Sequence, residues 1–333
     1  MSWRKADVTA STVRPPECSR WAILTSALRH GVLVTILWLS LLAMGGCGNE
    51  GASRFLPLAV TPSVTPSATS VPYPSSTPAP TPWPTPTPEP VDTGWQLLSA
   101  GIELRQLNLN VPVETPPSSD DATATSVVER LTIVRLDPAQ VRFQVHYDSV
   151  APHPVSTWAH YLDAMLVVNG GYFTPENEPL GLLVSDGQTW GHSYDDFAGM
   201  FAVTSNGEVS VRWLRHRPYS PDESLQEALQ SFPVLVKPGG VMGFPAEADD
   251  GRPARRTVVA QDVQGRILFI AAPRGYLSLH RLAHFLSTSD LGIDVALNLD
   301  GGFSTGLWLD AAQAVHIDSL TPVPVVISVV AAE

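Results

Sequence analysis

A proline-rich stretch over residues 57–90 divides this chain. Nearly every second or third residue there is proline, mixed with Thr and Ser, as in the run "TPAPTPWPTPTPEP". Proline has no backbone N–H donor and fixes φ, so such a stretch forms neither a helix interior nor a central strand. We therefore predict an extended, semi-rigid spacer of polyproline type, with foldable sequence only outside it.

The segment before the spacer has the pattern of an export signal. Arg20 and Arg29 precede an apolar run over residues 31–43. This run has the length of a signal-peptide core and is shorter than the roughly 20 residues that span a membrane as a helix. We predict that residues 1–46 are a signal peptide; an uncleaved membrane anchor is the alternative.

The apolar run ends in "MGGC", which resembles the lipobox of bacterial lipoproteins, with Met44 where Leu is usual. In that motif the cysteine accepts a lipid. We predict that Cys47 is lipidated and that residues 47–92 are the lipid-anchored linker. Under either interpretation the remaining chain lies outside the cytoplasm, attached to a bacterial membrane.

Charge and cysteine content exclude two classes of function for the foldable part. The net charge is -12 and the sequence pI is about 5.1, whereas domains that bind nucleic acid are usually strongly basic. We expect no nucleic-acid partner. Cys18 and Cys47 are the only two cysteines, so residues 93–333 contain neither a disulfide nor a catalytic thiol.

Residues 93–333 have the pattern of one α+β domain, built from a mixed, largely antiparallel sheet and a few short helices. The sequence "VRFQVHY" alternates apolar and polar residues as a half-buried strand does. The sequence "RTVVAQDVQGRILFIAA" predicts two strands joined at Gln264-Gly265, and "IDVALNLDGG" predicts a buried strand that ends in a glycine turn.

Two helices are predicted. Ser220 and Pro221 precede "DESLQEALQ" as N-cap and first helical residue. Ser278 precedes a second segment in which Leu279, Leu282, Ala283 and Leu286 share one helical face.

Two glycine loops carry polar residues at the ends of predicted strands. One strand ends in Asn169-Gly170-Gly171 and another in Asp300-Gly301-Gly302. A glycine pair after a buried strand allows a sharp turn and leaves main-chain amides facing a ligand. We expect the two loops to share one pocket. Arg256 opens a third strand, where its planar guanidinium can bind phosphate or carboxylate.

Together these motifs resemble the phosphodiester glycosidase family. The likeness rests on "NGGYF", an Arg-Thr pair that opens a strand, and "ALNLDGGFST" near the carboxyl end. The sequence departs from the family pattern "LDGGGSTTL" at Phe303 and Gly306. Arg255 stands where the family has proline, and the family's Gly-Pro-Leu-Leu is present only as "SFPVLV".

The resemblance implies an exported glycosidase that hydrolyses a sugar-1-phosphodiester in cell-envelope polysaccharide or exopolysaccharide. It implies that Arg256 stabilises the departing phosphate, that Asp300 activates water or stabilises an oxocarbenium ion, and that Asn169 holds hydroxyls or phosphate oxygens. The remaining substrate contacts are assigned to residues of the same motifs: Gly170, Gly171, Asn298, Gly301, Gly302, Ser304 and Thr305. Four acids that follow the first loop are candidates for a second catalytic carboxylate: Glu176, Glu178, Asp195 and Asp196.

Two other functions remain open. A non-catalytic carbohydrate-binding lipoprotein would use the same glycine loops. Residues 302–306 also match the G-x-S-x-G motif of serine hydrolases, with Ser304 as nucleophile, although the sequence that follows predicts a strand instead of the required helix. We predict no cofactor and no required metal, because His280 and His284 lack the glutamate of a zinc-binding H-E-x-x-H motif.

Overall fold

The computed structural model describes residues 91–112 and 126–332. The predicted signal peptide, Cys47 and the proline-rich spacer lie outside the described residues. Within them the chain forms two α-helices, α1 (Val155–Leu162) and α2 (Leu279–Thr288), and eighteen β-strands. None of these helices has the length and apolarity to span a membrane. The described part belongs to one structural unit.

The strands up to residue 213 are, in chain order, β1 (Gln96–Ser99), β2 (Ile102–Pro112), β3 (Ser126–Leu136), β4 (Val141–Tyr147), β5 (Leu166–Asn169), β6 (Leu183–Ser185), β7 (Gln188–Trp190), β8 (Gly199–Thr204) and β9 (Val209–Trp213). The later strands are β10 (Leu225–Ser231), β11 (Val234–Lys237), β12 (Val241–Met242), β13 (Ala254–Asp262), β14 (Ile267–Leu277), β15 (Ile293–Asn298), β16 (Leu307–Leu309), β17 (Val315–Ile317) and β18 (Val325–Ala331).

These strands form three sheets in which the pairings are antiparallel. The largest has eight strands in the order β1-β2-β3-β14-β13-β15-β11-β12, and the two others have the orders β7-β6-β10-β8-β9 and β17-β16-β5-β18-β4. The main core lies between the sheets and includes Phe143, Phe201 and Phe269. Helix α2 covers part of the eight-stranded sheet with Leu282, Ala283 and Leu286. Helix α1 packs against strand β5 through Trp158.

Several local predictions are confirmed. Strand β4 alternates buried and exposed residues at its start, and β13 and β14 form the hairpin predicted around Gln264-Gly265. Helix α2 begins after Ser278, whose hydroxyl accepts a hydrogen bond from the Arg281 backbone N–H at 3.3 Å. Such a cap satisfies one of the unpaired N–H groups in the first turn.

The first predicted helix is wrong. Strand β10 occupies Leu225–Ser231, inside a sheet and between β6 and β8. Polar residues inside the predicted helix are instead buried and bonded within the sheet: the Glu227 carboxylate accepts the Val145 N–H at 2.9 Å, and Gln230 Oε1 accepts the Tyr194 N–H. Tertiary contacts therefore overrode the local helical preference, and the domain has more β structure than the predicted α+β class implies.

The start of the domain is bound to its largest sheet. The Val91 carbonyl accepts the Asn108 N–H at 2.7 Å, and Asp92 forms a β-bridge with Leu107. Residues 91 and 92, which were predicted to end the linker, therefore contact this sheet.

Candidate active site

The two glycine loops meet through the side chain of Asn169, which ends strand β5. Its Nδ2 donates to the Asp300 carbonyl at 2.8 Å, and its Oδ1 accepts from the Gly306 N–H at 3.0 Å and from the Thr257 hydroxyl at 2.8 Å. The backbone adds a bond from the Asp300 N–H to the Gly170 carbonyl at 3.1 Å. Asn169 is fully buried and therefore joins both loops to strand β13.

Glycine is required where the loops turn. A Cβ atom on Gly170 would lie 2.5 Å from Val325 Cγ1, and one on Gly301 would lie 2.8 Å from the Arg255 carbonyl oxygen. Both distances are too short for a side chain to be added without movement of the neighbour. Gly302 has φ of +60°, which disfavours other residues. The close approach of Gly301 to β13 brings the second loop beside the start of that strand.

Asp300 follows strand β15 and is half-buried. Its Oδ1 accepts the Gly301 N–H at 2.8 Å. Burial raises the pKa of the Asp300 carboxyl above its ordinary value, while the Ser304 side chain and the Gly301 amide lower it. The carboxylate has no ion pair with an arginine or lysine among the described residues. Such an acid is a stronger base than a solvated aspartate.

Arg256 lies beside the end of β15 because β13 runs antiparallel to it, with Val258 opposite Asn298. Its guanidinium donates only to carbonyl oxygens, those of Leu277 at 3.2 Å and Arg252 at 2.9 Å. Within the part of the chain that the structure describes, it pairs with no carboxylate. Burial lowers the pKa of Arg256, although the charges of Asp249 and Asp250 act in the opposite direction, so the described site contains a partly desolvated cation with no carboxylate bonded to it.

A cavity of about 350 Å³ adjoins Arg256. Asp249 and Asp250 also line it, and the negative charge of each raises the pKa of Arg256, whereas burial lowers it. Neither forms a salt bridge with Arg256 in the described residues: Asp249 Oδ2 accepts the His280 N–H at 3.3 Å while its buried Oδ1 has no hydrogen-bond partner, and Asp250 lies 3.7 Å from Arg252. The cavity gives a ligand access to the guanidinium.

Arg255 and Arg256 point in opposite directions, as neighbours on a strand do. The Arg255 guanidinium donates to the carbonyls of Thr305 and Asp318, both at 2.9 Å. This side chain therefore fixes the chain that follows the second glycine loop. Arg255, which stands where the family has proline, therefore has a structural role.

Tyr172 is a site residue that the sequence analysis missed. Its hydroxyl oxygen lies 2.7 Å from Asn298 Nδ2. Burial raises the pKa of Tyr172, the Asp300 charge raises it further, and the Arg256 charge lowers it, so Tyr172 lies close to both candidate catalytic groups. Its place directly after the glycine pair of "NGGYF" was the available signal.

The other predicted substrate contacts lie at different depths. Asn298 is buried beneath the loops, and Thr305 is buried completely. Ser304 is 6% exposed, whereas the neighbouring Phe303 is 71% exposed. A Cβ atom on Gly171 would lie 3.1 Å from the Gln230 carbonyl oxygen. Direct contact of these residues with a substrate stays a prediction.

The four candidates for a second carboxylate are exposed and lie on the surface. Glu176 and Glu178 belong to a turn closed by the Phe173–Pro179 bridge. Asp196 pairs with Arg215 at 2.9 Å. None of the four bonds to Asp300 or Arg256 among the residues described.

The surroundings of Ser304 differ from those of a serine-hydrolase nucleophile. It ends a short 3-10 turn, Gly302–Ser304, and the chain continues into strand β16. The G-x-S-x-G elbow requires a helix after the serine. The contacts of Ser304 are with the second glycine loop, and in the described ranges no histidine bonds to its hydroxyl. The geometry therefore does not support the serine-hydrolase alternative.

Across residues 91–112 and 126–332, His, Cys, Asp and Glu side chains form no group of three or more that could hold a metal ion. His280 uses its ring Nδ1 to contact the Phe244 carbonyl at 3.1 Å.

The site described above lies in a region shared with known proteins. The sequence profile of the phosphodiester glycosidase family matches residues 163–330, about half of the chain, and this range includes Asn169, Arg256 and Asp300. The chain belongs to the phosphodiester glycosidase family. No curated protein matched the sequence.

The fold is shared with one solved structure, and two others are more distantly similar. The catalytic domain of zebrafish N-acetylglucosamine-1-phosphodiester alpha-N-acetylglucosaminidase, auto-inhibited by its pro-peptide, is similar with a TM-score of 0.54 and 18% identity, over 70% of this chain and 84% of that one. A hypothetical protein from Synechocystis matches with a TM-score of 0.45, 18% identity and coverage of 69% and 62%. A putative exported protein from Burkholderia pseudomallei K96243 matches with 0.46, 12% identity and coverage of 72% and 96%.

Proposed function

We propose that this protein hydrolyses the bond between an anomeric carbon and a phosphodiester oxygen, in cell-envelope polysaccharide or exopolysaccharide. One observation carries the proposal: Arg256 is half-buried, bonds to no carboxylate in the described part of the chain, and lies beside the loop of Asp300, where a Cβ atom on Gly301 would be 3.9 Å from Arg256 Cα. An unpaired, partly desolvated cation favours an anionic ligand. The family supports a glycosidase, and the Arg256 environment supports a phosphate on its substrate.

The reaction needs a base and an anion-stabilising group. Water attacks the anomeric carbon, Asp300 accepts the water proton or stabilises the oxocarbenium ion, and the carbon–oxygen bond breaks. The electron pair of that bond goes to the departing phosphate oxygen, whose charge Arg256 stabilises. Because this leaving group is a stable anion, it needs less protonation than the alkoxide of an ordinary glycoside.

The bond that breaks can be determined directly. The full chain is incubated in ¹⁸O-water with the methyl phosphodiester of α-N-acetylglucosamine 1-phosphate, a substrate type suggested by the name of the zebrafish relative. We expect N-acetylglucosamine that contains the label and methyl phosphate that does not. Label in a phosphate product would indicate a phosphodiesterase instead. Binding without turnover would favour the carbohydrate-binding alternative.

We also propose that the domain is held at the outer side of a bacterial membrane by a lipid on Cys47. Support comes from the apolar run and the "MGGC" motif. Changing Cys47→Ser should move the protein from the membrane fraction to the soluble fraction. Equal sedimentation of both forms with membranes would favour an uncleaved anchor.

A further inference from the structure

The Tyr172 ring and its oxygen are held in place by separate contacts. The ring packs against Phe232, with 4.7 Å between ring centroids. The hydroxyl oxygen lies 2.7 Å from the side-chain amide nitrogen of Asn298, which is buried at the end of strand β15. The tyrosine is half-buried, so a ligand can reach the site that it lines.

The direction of this hydrogen bond follows from the neighbours of Asn298. Its Nδ2 also faces the carbonyl oxygens of Leu299 at 2.7 Å and Phe232 at 3.2 Å. Both carbonyls need an N–H donor, so the amide nitrogen faces them and its two hydrogens are shared among the two carbonyls and the Tyr172 oxygen, while the amide oxygen Oδ1 has no hydrogen-bond partner. An amide nitrogen does not accept hydrogen bonds, so the Tyr172 oxygen accepts and its own hydrogen points elsewhere.

That hydrogen has no acceptor among the described residues. The Asp300 carboxyl bonds instead to the Gly301 amide and interacts with Ser304. Burial and the Asp300 charge raise the pKa of Tyr172, so the hydroxyl stays protonated throughout the physiological range. A buried donor without a partner is costly unless a ligand or water accepts its hydrogen bond.

We propose that the Tyr172 hydroxyl donates a hydrogen bond to a phosphoryl oxygen of the substrate, beside Arg256. The inference rests on the proposed function and adds a third group to the site. Asn298 then has the role of a positioning residue, because it fixes the lone pair of Tyr172 that does not face the substrate. A phosphodiester supplies the acceptor: its two non-bridging oxygens share one negative charge.

The test uses Tyr172→Phe in the full chain, because phenylalanine keeps the ring contact with Phe232 and removes only the hydroxyl. With the methyl phosphodiester of α-N-acetylglucosamine 1-phosphate, kcat/KM should fall about 10- to 100-fold, the effect of one hydrogen bond to a charged group. Binding of methyl phosphate, measured by calorimetry, should weaken by a factor of at least about five, by the same principle. Tyr161→Phe, at an exposed tyrosine of helix α1, is the control and should change neither value.

Unchanged kcat/KM and unchanged methyl phosphate binding in Tyr172→Phe would overturn the inference. A lower rate with unchanged methyl phosphate binding would overturn it too, because the hydroxyl would then act on the water or the sugar. Failure of the proposed function gives a different result: the wild-type protein itself would leave the phosphodiester intact. The calorimetric comparison still tests the contact with phosphate in that case.

Discussion

Arg105 and Arg256 are both withdrawn from water, but within the described residues only Arg105 bonds to carboxylates. Arg105 is 8% exposed and bonds to Asp92 at 2.7 and 3.0 Å and to both oxygens of Asp290 at 3.0 Å. The hydrogen bonds to Asp92 are the main reason that the pKa of Arg105 is raised. Arg256 donates only to backbone carbonyls, and its pKa is lowered by burial.

The difference separates a structural charge from a functional one. The Arg105 charge is neutralised within the protein by Asp92 and Asp290, and the bond to Asp92 ties the start of the domain to its largest sheet. The Arg256 charge lacks a counterion in the described residues, and a substrate anion can supply it. Groups held in an unfavourable state by their surroundings are frequent at functional sites. The following predictions test whether this distinction holds.

The largest effect is expected for Asp300→Asn. Asparagine keeps the size of the side chain and removes the base, so turnover of the sugar phosphodiester should fall at least about a hundredfold. Thermal unfolding at pH 7 should occur at the same or a higher temperature, because the ionised carboxylate is disfavoured by burial. Rate assays and calorimetry check both; full activity in Asp300→Asn would remove this residue from the mechanism.

Glu227 is a buried acid that forms no salt bridge among the described residues. Its carboxylate accepts the backbone N–H groups of Val145 and Asp186. Burial raises its pKa to about 7 from an ordinary value of 4.5. The folded protein therefore keeps this proton at pH values where the unfolded chain has lost it, and stability should fall as pH rises from about 4.5 to 7. The loss is on the order of 2–3 kcal/mol.

Urea unfolding of wild type and Glu227→Gln across this pH range measures the effect. Glutamine stays neutral and keeps an oxygen acceptor for the Val145 N–H, so its stability should depend less on pH. Activity per folded molecule should not change. If Glu227→Gln has the wild-type pH dependence, Glu227 is not the titrating group.

Arg105→Ala should lower stability by about 2 kcal/mol, less than for a fully buried pair, because both acids regain water. Asp92 and Asp290 are 36% and 71% exposed in their side chains. Denaturant unfolding gives the loss, and kcat of the folded fraction should stay at the wild-type value. A large fall in kcat with little loss of stability would reverse the distinction drawn between the two arginines.

The smallest effect is expected for Ser304→Ala. Since Ser304 lowers the pKa of Asp300, its removal should move the acidic limb of the pH–rate profile to higher pH and reduce the rate about tenfold or less. A serine-directed phosphonate should not label the protein. Complete loss of activity together with labelling of Ser304 would instead indicate a serine nucleophile.

The elements that the sequence predicted share a local cause. The β13–β14 hairpin follows from an apolar alternation around a glycine turn, helix α2 from its Ser278 cap, and each glycine loop from a glycine pair that comes shortly after a buried strand. Each of these signals lies within a few residues of the element that it specifies.

The elements that the sequence missed depend on distant partners. Strand β10 contains Glu227 and Gln230, whose burial is explained only by the backbone donors of Val145 and Tyr194. Tyr172 gains its orientation from Asn298, more than a hundred residues away. The lack of a counterion at Arg256 is likewise visible only when the acids around it have been placed in space.

The central claim is that the unpaired charge of Arg256 serves a phosphate on the substrate. It is tested most directly by comparing wild type, Arg256→Ala and Arg256→Lys on two substrates: the methyl phosphodiester of α-N-acetylglucosamine 1-phosphate and the uncharged 4-nitrophenyl α-N-acetylglucosaminide. We expect Arg256→Ala to lose about 100- to 1000-fold in kcat/KM on the phosphodiester and far less on the uncharged glycoside. Arg256→Lys should recover little, because a point charge does not replace the planar fork. Equal losses on both substrates would contradict the account.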